Sequence, residues 1–339
     1  MIVERLLEIN DLHFSFLTYG GEVKAVRGIS FQVKQGEKVA LVGESGSGKS
    51  VTAQCILKLN PEPPGFLKKG SILFDGQNIT EMNEKGMRKI RGHDIGMIFQ
   101  DPLTSLNPTM KVGEQITEGL LSHHGFSRKN ARKRAYEMLK MVGIADYEKR
   151  FKQYPYQFSG GMKQRVMIAI ALIHSPRLLI ADEPTTSLDV TIEAQILDLM
   201  DNLQQNLKTA IILITHDLGV VARLCERVLV IYGGKIVEAG DIDNIYYQAK
   251  HPYTWGLLKS IPRLDHQKSK KLGSIEGTPP DLFEPPAGCP FAARCQYAMR
   301  VCYQEEPAFF PITAGHQVAC WLLHPDAPES AKSTNLGVF

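Results

Sequence analysis

The sequence lacks several features that mark other classes of protein. Its 339 residues contain no run of about 18 apolar residues, so no membrane-spanning helix is predicted. The formal net charge of +3 is too small to make nucleic acid the expected main partner. The N-terminus has Glu4, Arg5 and Glu8 among apolar residues and lacks the basic-then-apolar order of a secretion signal. We therefore expect a protein that stays in the cytoplasm.

Cysteine is also scarce, with six residues in the chain. Disulfides are rare in the cytoplasm, so these cysteines are expected to be thiols or metal ligands. Cys55 and Cys225 fall in predicted helices and are expected to pack against neighbouring side chains. The other four lie towards the C-terminus, where a segment at 261–289 rich in Pro, Gly, Lys and Ser indicates a linker or extended arm.

The first hundred or so residues have the pattern of β-strands. Apolar alternation and short apolar runs predict strands at 6–16, 29–33, 39–42 and 95–99. The stretch 71–79 is typical of a hairpin that turns at Asp75-Gly76.

Helical spacing of apolar residues predominates from about 110 to 175. The basic stretch 128–134 is expected to be the solvated face of a helix capped by Ser127, and a surface patch that binds nucleic acid is the alternative. The stretch RVMIAIALI is apolar nearly all round, which predicts a buried helix. Strands are then predicted at 178–181, 210–215 and 227–232, and helices at 190–207 and near 217–225. Such alternation predicts an α/β fold with a mostly parallel sheet and helices on both faces.

A glycine-rich loop, Gly43-Glu44-Ser45-Gly46-Ser47-Gly48-Lys49-Ser50, lies between a predicted strand and a predicted helix. In that context, backbone N–H groups close around phosphate oxygens beside a helix N-terminus. Lys49 would reach the β- and γ-phosphates of ATP, and Ser50 would offer its hydroxyl to Mg²⁺. The expected nucleotide-binding residues are Gly43, Ser45, Gly46, Gly48, Lys49 and Ser50. The alternative is a flexible glycine loop with a coincidental Lys-Ser.

An acidic pair, Asp182-Glu183, follows the apolar strand at 178–181. Ligands of α/β sheets are met at strand ends, so Asp182 suits binding Mg²⁺ and Glu183 suits acting as general base on the attacking water. An acidic pair after a strand can also be a helix N-cap or a turn. The phosphate-binding loop upstream favours the catalytic interpretation.

Further motifs complete an ordered series within about 200 residues. Ser159-Gly160-Gly161 precedes the predicted buried helix and would present a second phosphate-facing helix N-terminus. His216 follows a strand and could contact a γ-phosphate. Alone, the first motif is an ordinary loop and the second a structural histidine. With Gln100 and Ser187-Leu188-Asp189, they point to ATP bound and hydrolysed between two subunits.

This series resembles the nucleotide-binding domain of ATP-binding-cassette (ABC) transporters over roughly residues 5–250. The resemblance implies a P-loop NTPase core with a parallel sheet, an N-terminal antiparallel β subdomain and an inserted helical subdomain at about 101–175. It implies a nucleotide-binding domain at 1–260 and a small Cys-rich C-terminal extension at 261–339. It also implies a role for each matching residue. Gln100 would couple nucleotide to the membrane subunits and contribute to the Mg²⁺ site, and the loop of Ser159, Gly160 and Gly161 would reach the ATP of the other subunit. Asp189 would be the interface aspartate and His216 the switch histidine.

Two details of this resemblance concern single positions. The family stacks an aromatic residue on adenine, for which Phe16 is favoured and Tyr19 is second. The family's usual signature, Leu-Ser-Gly-Gly-Gln, here reads Phe158-Ser159-Gly160-Gly161-Met162. The departure at Met162 concerns the ATP site that this loop completes, whereas the site built on Lys49 and Glu183 is intact.

Longer stretches give a narrower resemblance. MIFQDPLTSLNP (97–108), FSGGMKQRVMIAIAL (158–172) and ADEPTTSLDVT (181–191) are similar to the oligopeptide/dipeptide permease ATPases, in particular the D-type member that works beside an F-type partner. The tail, GCPFAARCQYAMRVC followed by GHQVACW, is similar to that group's C-terminal region. The resemblance implies a heterodimer with the second ATPase, two transmembrane permease subunits, an extracytoplasmic substrate-binding protein, and a peripheral location on the cytoplasmic face of the membrane. An importer for nickel, a soluble non-transport ABC ATPase and a regulatory metal-sensing subunit are the alternatives.

Four cysteines in the tail are candidate ligands for a metal site. Cys289, Cys295, Cys302 and Cys320 are separated by five, six and seventeen residues. Four thiolates can hold Zn²⁺ or a [4Fe–4S] cluster, and the absence of a Cys-x-x-Cys pair favours the cluster. Members of the family that the chain resembles carry such a cluster. Four unliganded thiols in a small Pro-rich tail are the remaining alternative.

Overall fold

The computed structural model describes residues 5–101, 105–123, 125–186, 188–261 and 275–328. The chain divides into two compact units, each built from three separate stretches. The first unit comprises residues up to 6, 33–38 and 81–213, and the second comprises 7–32, 39–80 and the residues from 214 onwards.

The second unit contains a four-stranded antiparallel sheet with the strand order β2-β1-β4-β5. Its strands are β1 (Arg5–Thr18), β2 (Gly21–Lys34), β4 (Gly65–Phe74) and β5 (Gln77–Asn78). The predicted hairpin is confirmed: Leu73 pairs with Asn78, and Asp75 and Gly76 have φ of 51° and 75°, as a tight two-residue turn requires. The predicted strand at 29–33 is the second half of the longer β2.

Another group of strands in the second unit has the order β11-β12-β10-β9-β3. The strands are β3 (Lys38–Val42), β9 (Arg227–Tyr232), β10 (Lys235–Asp241), β11 (Phe310–Thr313) and β12 (His316–Val318). β3 and β9 are parallel, whereas β10, β11 and β12 are antiparallel to their neighbours. The sheet is therefore mixed, which corrects the expectation of a mostly parallel one. β10 must run back along β9 because only Gly233-Gly234 joins them.

The first unit contains three strands in the order β8-β7-β6. They are β6 (Ile95–Ile98), β7 (Leu178–Asp182) and β8 (Ala210–Thr215). β6 and β7 are parallel, with Ile95 opposite Leu178. Every residue of β7 and β8 is buried, which is why these strands read as continuous apolar runs.

Most helices of the first unit lie in the regions where helices were predicted, whereas the short helix at 84–90 was not predicted. The helices of this unit are α2 (Glu84–Ile90), α3 (Val112–His123), α4 (Arg128–Met141), α5 (Tyr147–Arg150), α6 (Gly160–Leu172) and α7 (Val190–Leu207). The α4 helix begins where Ser127 accepts a hydrogen bond from the Asn130 N–H, as predicted. The α6 helix is buried along most of its length, and Val166, Ile168 and Ala169 are fully inaccessible.

Helices of the second unit are α1 (Lys49–Ile56), α8 (Leu218–Leu224), α9 (Ile242–Gln248), α10 (Pro252–Lys259) and α11 (Arg300–Gln304). Cys55 lies in α1, as predicted. Cys225 does not lie in a helix: it is the first residue after α8 and has an extended backbone, with φ −99° and ψ 157°, because β9 begins two residues later. Both cysteines are buried.

The C-terminal part of the chain is joined to the sheet of the second unit. Of the predicted arm at 261–289, residues 262–274 lie outside the described residues, and 275–289 have neither helix nor strand. Further on, β12 pairs with β10, and the buried side chains of His316 and Glu238 meet at 2.9 Å. None of the helices in the described part of the chain combines the length and apolar composition needed to cross a bilayer.

Candidate functional site

The predicted phosphate loop, residues 43–50, connects the end of β3 to the start of α1, as its motif requires. A Cβ atom on Gly43 would lie 2.1 Å from the carbonyl oxygen of Ile231, so no other residue fits there. Gly48 has φ of 99°, and a Cβ atom on it would lie 2.5 Å from the carbonyl oxygen of Ala25. Close backbone approach therefore fixes these two glycines, independently of any ligand.

Lys49 is buried, at 4% exposure, and its ammonium group lies inside the loop. Its Nζ donates to the carbonyl oxygens of Gly43 at 2.7 Å and Glu44 at 2.9 Å. A buried charge needs such partners. The arrangement presents a cation within a loop that leads into a helix N-terminus, which is the chemistry of a polyphosphate site.

Two further features of the loop favour an anion. Gly48 is the N-cap of α1 and provides no side-chain cap, so the N-terminal N–H groups can serve a ligand instead. Ser50, whose hydroxyl is the predicted Mg²⁺ ligand, is the second residue of α1. Sequence reasoning passed over Ser47, whose Oγ is buried with no hydrogen-bond partner within the described residues. Its position in the glycine-rich motif was the only available signal.

The acidic pair lies at the end of β7, as predicted. Asp182 is buried at 5% exposure and is the last residue of the strand. Glu183 is half-buried and has φ of 47°, a left-handed conformation that is uncommon for a residue with a side chain. Such strain clusters at functional sites, where the surrounding structure holds it in place.

The Glu183 carboxylate accepts two hydrogen bonds within the first unit. Its Oε2 accepts from Nε2 of Gln100 at 3.0 Å and from Oγ1 of Thr186 at 2.9 Å. The structure thus brings together two predicted site residues that are 83 positions apart. Sequence reasoning did not identify Thr186, although it lies three residues after Glu183 in the same motif.

Ser159 and Asp189 both lie at helix starts and cap them. The Ser159 hydroxyl accepts from the Met162 N–H at 3.4 Å, and Asp189 Oδ1 accepts from the Ile192 N–H at 3.0 Å. Both residues therefore act as helix N-caps, which is the ordinary structural role of Ser and Asp at a helix start. Ser159, Gly160 and Asp189 are also exposed, so they lie on a surface that another subunit could reach. Ser187 lies outside the described residues.

The other predicted nucleotide contacts lie in the second unit. His216 is exposed and directly follows β8. Phe16 is half-buried, and its ring makes an edge contact with Phe14 at a centroid distance of 5.2 Å. Tyr19 is fully exposed. The choice between Phe16 and Tyr19 as the adenine-stacking residue stays a prediction.

Four cysteines of the C-terminal extension lie in one region of the second unit. The backbone N–H of Cys289 donates to the carbonyl oxygen of Cys302 at 2.8 Å. Burial raises the pKa of Cys289 to about 12 and that of Cys295 to about 11, and neighbouring cysteines add to both shifts. Burial likewise raises the pKa of Cys320. The protonated thiol is thus favoured at these three positions.

These thiols are chemically suitable donors for zinc or iron, but they are not arranged as a ligand set. Among the described residues, no group of three or more cysteine, histidine or acidic side chains is positioned to hold a metal ion. The structure therefore does not support the predicted [4Fe–4S] cluster or its zinc alternative.

Comparison with known proteins agrees with the motifs. Residues 26–186 match the ABC transporter family model, and residues 237–302 match the model of the oligopeptide/dipeptide transporter C-terminal region. The chain is 58% identical to the oligopeptide transport ATP-binding protein OppD of Bacillus subtilis, over 96% of this chain and 91% of that protein. It is 55% identical to the dipeptide transport ATP-binding protein DppD of the same organism, over 94% and 95%.

A solved structure agrees with these matches. The dimeric ATP-binding cassette MJ0796, in a post-hydrolysis state bound to ADP and Pi, aligns with a TM-score of 0.62 and 27% identity, over 70% of this chain and 98% of that one. The ordered motifs, the two family models and the identity along nearly the whole chain lead to one conclusion. The chain belongs to the ABC transporter ATPases, in the group of oligopeptide/dipeptide transport ATP-binding proteins.

Proposed function

We propose that this chain is the ATP-hydrolysing cytoplasmic subunit of an ABC importer for dipeptides or oligopeptides. The main support is the joint presence of the phosphate loop and the strained acidic residue Glu183 in a chain whose relatives are named for peptide transport. The reaction is phosphoryl transfer from ATP to water. It is driven mainly by positioning and by stabilising charge that develops on the phosphoryl oxygens.

In the phosphate loop, Lys49 binds the β- and γ-phosphates, and the backbone around Gly43, Ser45, Gly46 and Gly48 encloses them. The support is the buried ammonium group of Lys49 and the uncapped start of α1. Mg²⁺, when bound, would neutralise phosphate charge, and Ser50, Asp182 and Gln100 are the residues that would hold it. Phe16 or Tyr19 would stack on the adenine ring.

At the end of β7, Glu183 accepts the proton of the attacking water. Gln100 and Thr186 both donate to the same oxygen, Oε2, which orients the carboxylate. A positioned general base contributes about 10²–10⁴-fold to a rate. Glu183 is part of a hydrogen-bonded group whose orientation depends on Gln100, the residue that the family uses to sense the membrane subunits.

We further propose a complex with a second, F-type ATPase subunit and two transmembrane permease subunits, with a substrate-binding protein outside the cytoplasm. Ser159, Gly160, Gly161 and Asp189 would face the nucleotide of the second ATPase, and His216 would contact the γ-phosphate. This places the chain peripherally on the cytoplasmic face of the membrane. The division into a nucleotide-binding domain at 1–260 and an extension at 261–339 also belongs to this proposal.

We also propose a [4Fe–4S] cluster on Cys289, Cys295, Cys302 and Cys320. Its support is the presence of four cysteines in one small region, and the arrangement of their thiols opposes it. Iron and acid-labile sulfide should be measured on anaerobically purified protein. About four of each per chain would support the cluster, and zinc alone or no metal would overturn it.

The first test of the function is to identify what the chain binds in cells. The tagged chain should be purified from gently solubilised membranes under anaerobic conditions. Two multispanning proteins and a second cassette ATPase are expected, and peptide uptake should require the chain. Recovery of the chain alone, or with ribosomes or DNA, would overturn the proposal. A nickel-specific binding protein in the same complex would refute the peptide assignment.

A further inference from the structure

The phosphate loop is tied to the C-terminal extension by an ion pair between Glu44 and Arg294. The contact is bidentate: Nη1 of Arg294 donates to Oε2 of Glu44 at 2.6 Å, and Nη2 donates to Oε1 at 3.1 Å. The two residues are 250 positions apart and belong to the same unit. Only 6% of the Arg294 side chain and 26% of the Glu44 side chain are exposed. A two-point contact of this kind fixes the relative orientation of the two side chains and also pairs their charges.

Arg294 is held rigidly by groups other than Glu44. It donates to the carbonyl oxygens of Glu276 at 2.8 Å and Ile275 at 3.0 Å, and to the hydroxyl of Tyr232 at 3.0 Å. Its guanidinium group also lies over the rings of Tyr232 and Phe291, at 5.8 Å and 6.0 Å from their centroids. The orientation of the Arg294 guanidinium group is therefore set by several contacts besides the one with Glu44.

The charge on Arg294 is stabilised where it lies. Burial opposes that charge, but the hydrogen bonds with Glu44 and Tyr232 outweigh it and hold the pKa of Arg294 above its ordinary value.

Three groups of Glu44, a residue of the phosphate loop, are each held by a different side chain. Its N–H donates to the hydroxyl of the fully buried Tyr253 at 2.8 Å, and its carbonyl oxygen accepts from Nζ of Lys49. Its carboxylate is held by Arg294. The loop residue that contacts Lys49 is thus fixed from outside the loop by two side chains from distant parts of the chain.

The negative charge of Glu44 would oppose the binding of an anionic ligand. A carboxylate in a loop that receives a polyphosphate repels it unless a cation neutralises the carboxylate. Arg294 supplies that cation, and the two-point contact also limits the movement of the loop.

From these contacts we propose that Arg294 is a positioning residue for nucleotide binding, acting through Glu44. It neutralises the Glu44 carboxylate and holds the loop in the shape that accepts the phosphates of ATP. The C-terminal extension is thereby part of what determines ATP affinity. This inference rests on the proposed role of residues 43–50 in binding phosphate.

The test is a double-mutant cycle on the full chain, with MgATP affinity measured by titration calorimetry. Arg294→Ala is expected to weaken ATP binding at least tenfold and to raise KM with a smaller change in kcat. Arg294→Lys, which keeps the charge but loses the two-point contact, should lie between wild type and Arg294→Ala. Adding Glu44→Gln to Arg294→Ala should restore much of the affinity, because the unpaired carboxylate is removed.

Two outcomes would overturn the inference. One is an ATP affinity of Arg294→Ala within twofold of wild type. The other is strict additivity of the Arg294→Ala and Glu44→Gln effects, which would show that the two residues do not act together.

A matched control separates positioning from general loosening of the extension. Glu306→Gln breaks the ion pair between Glu306 and Lys235, which joins the extension to the start of β10 and has no part in the Glu44–Arg294 contact. This variant should bind ATP as wild type does, even if its thermal midpoint falls as far as that of Arg294→Ala. Equal loss of affinity in both variants would overturn the inference.

Lys49→Ala separates this inference from the proposed function. If Lys49→Ala binds ATP normally, the assignment of the loop itself fails. If Lys49→Ala abolishes binding while Arg294→Ala has no effect, only the role of Arg294 fails.

Discussion

Gln100 and Glu183 are joined by a hydrogen bond of 3.0 Å between the amide Nε2 and the carboxylate Oε2. The pair links the residue proposed to sense the membrane subunits directly to the proposed general base. A shift of Gln100 would therefore break one of the contacts that orient the Glu183 carboxylate. This gives one physical route by which binding of membrane subunits can control hydrolysis.

Replacing Glu183 with Gln should preserve ATP binding and lower turnover by about 10²–10⁴-fold, because the amide keeps the shape but cannot accept the proton. Phosphate release, assayed with the partner subunits present, measures this. Glu148→Gln on the exposed surface of α5 is the control and should behave as wild type. Wild-type turnover of Glu183→Gln would refute the assignment of the base.

Replacing Gln100 with Ala removes the hydrogen bond that its amide donates to Glu183 Oε2 and should lower turnover by roughly tenfold, the usual worth of a hydrogen bond to a charged group. Stimulation of ATPase activity by the permease subunits should fall further than the basal rate. If the basal rate and its stimulation are both unchanged, the hydrogen bond has no functional role.

Replacing Gly43 with Ala should destabilise the phosphate loop and abolish ATP binding. The added methyl group would lie 2.1 Å from the carbonyl oxygen of Ile231, and the backbone cannot yield there without displacing β9. Gly86→Ala is the control. Gly86 lies inside α2, and an added methyl group there would make only ordinary van der Waals contacts, so the substitution should stabilise that helix by about 0.5–1 kcal/mol. Normal ATP affinity of Gly43→Ala would contradict the loop geometry.

The stability of the chain should fall in mild acid because of His251. Burial lowers the pKa of this histidine from 6.5 to about 4, and the nearby Glu238 only partly opposes the shift. The neutral ring accepts a hydrogen bond from the Tyr253 N–H at 3.1 Å. Its contribution is therefore complete above pH 6.5, declines as the pH falls, and is lost below about pH 4.

The shift corresponds to roughly 3 kcal/mol of unfolding free energy. Thermal midpoints between pH 7.5 and 4.5 should fall more steeply for wild type than for His251→Asn, which keeps an acceptor but does not titrate. Glu238 and His316 are present in both proteins, so the difference between the two pH profiles reports on His251. Parallel pH profiles would contradict this prediction.

Replacing Cys295 with Ser should loosen residues 285–322 if the four cysteines share a metal, because a segment of this size gains much of its order from such a site. Limited proteolysis of the metal-replete protein measures this. Cys55→Ser, in the buried α1 helix, is the comparison for a change in packing alone. Unchanged protease resistance of the tail would exclude a structural metal.

The sequence by itself determined the local elements and the motifs. The helix at 190–207 and the strands at 210–215 and 227–232 have the predicted bounds, because each has a strong periodicity or a continuous apolar run. The helices and strands depend on neighbours within a few residues, so the order of residues is sufficient to specify them. The phosphate loop was predictable from its glycine-rich motif between a strand and a helix, although Gly43 and Gly48 are required by close contacts with the distant residues Ile231 and Ala25.

Only the tertiary structure decided which distant residues meet. It paired Gln100 with Glu183 and Arg294 with Glu44, and it added β10, β11 and β12 as antiparallel strands. It also arranged the four cysteines in a way that their spacing did not foretell. The physical reason is the same in each case: bidentate contacts, strand pairing and metal geometry depend on distances across the fold, and sequence separation does not encode those distances.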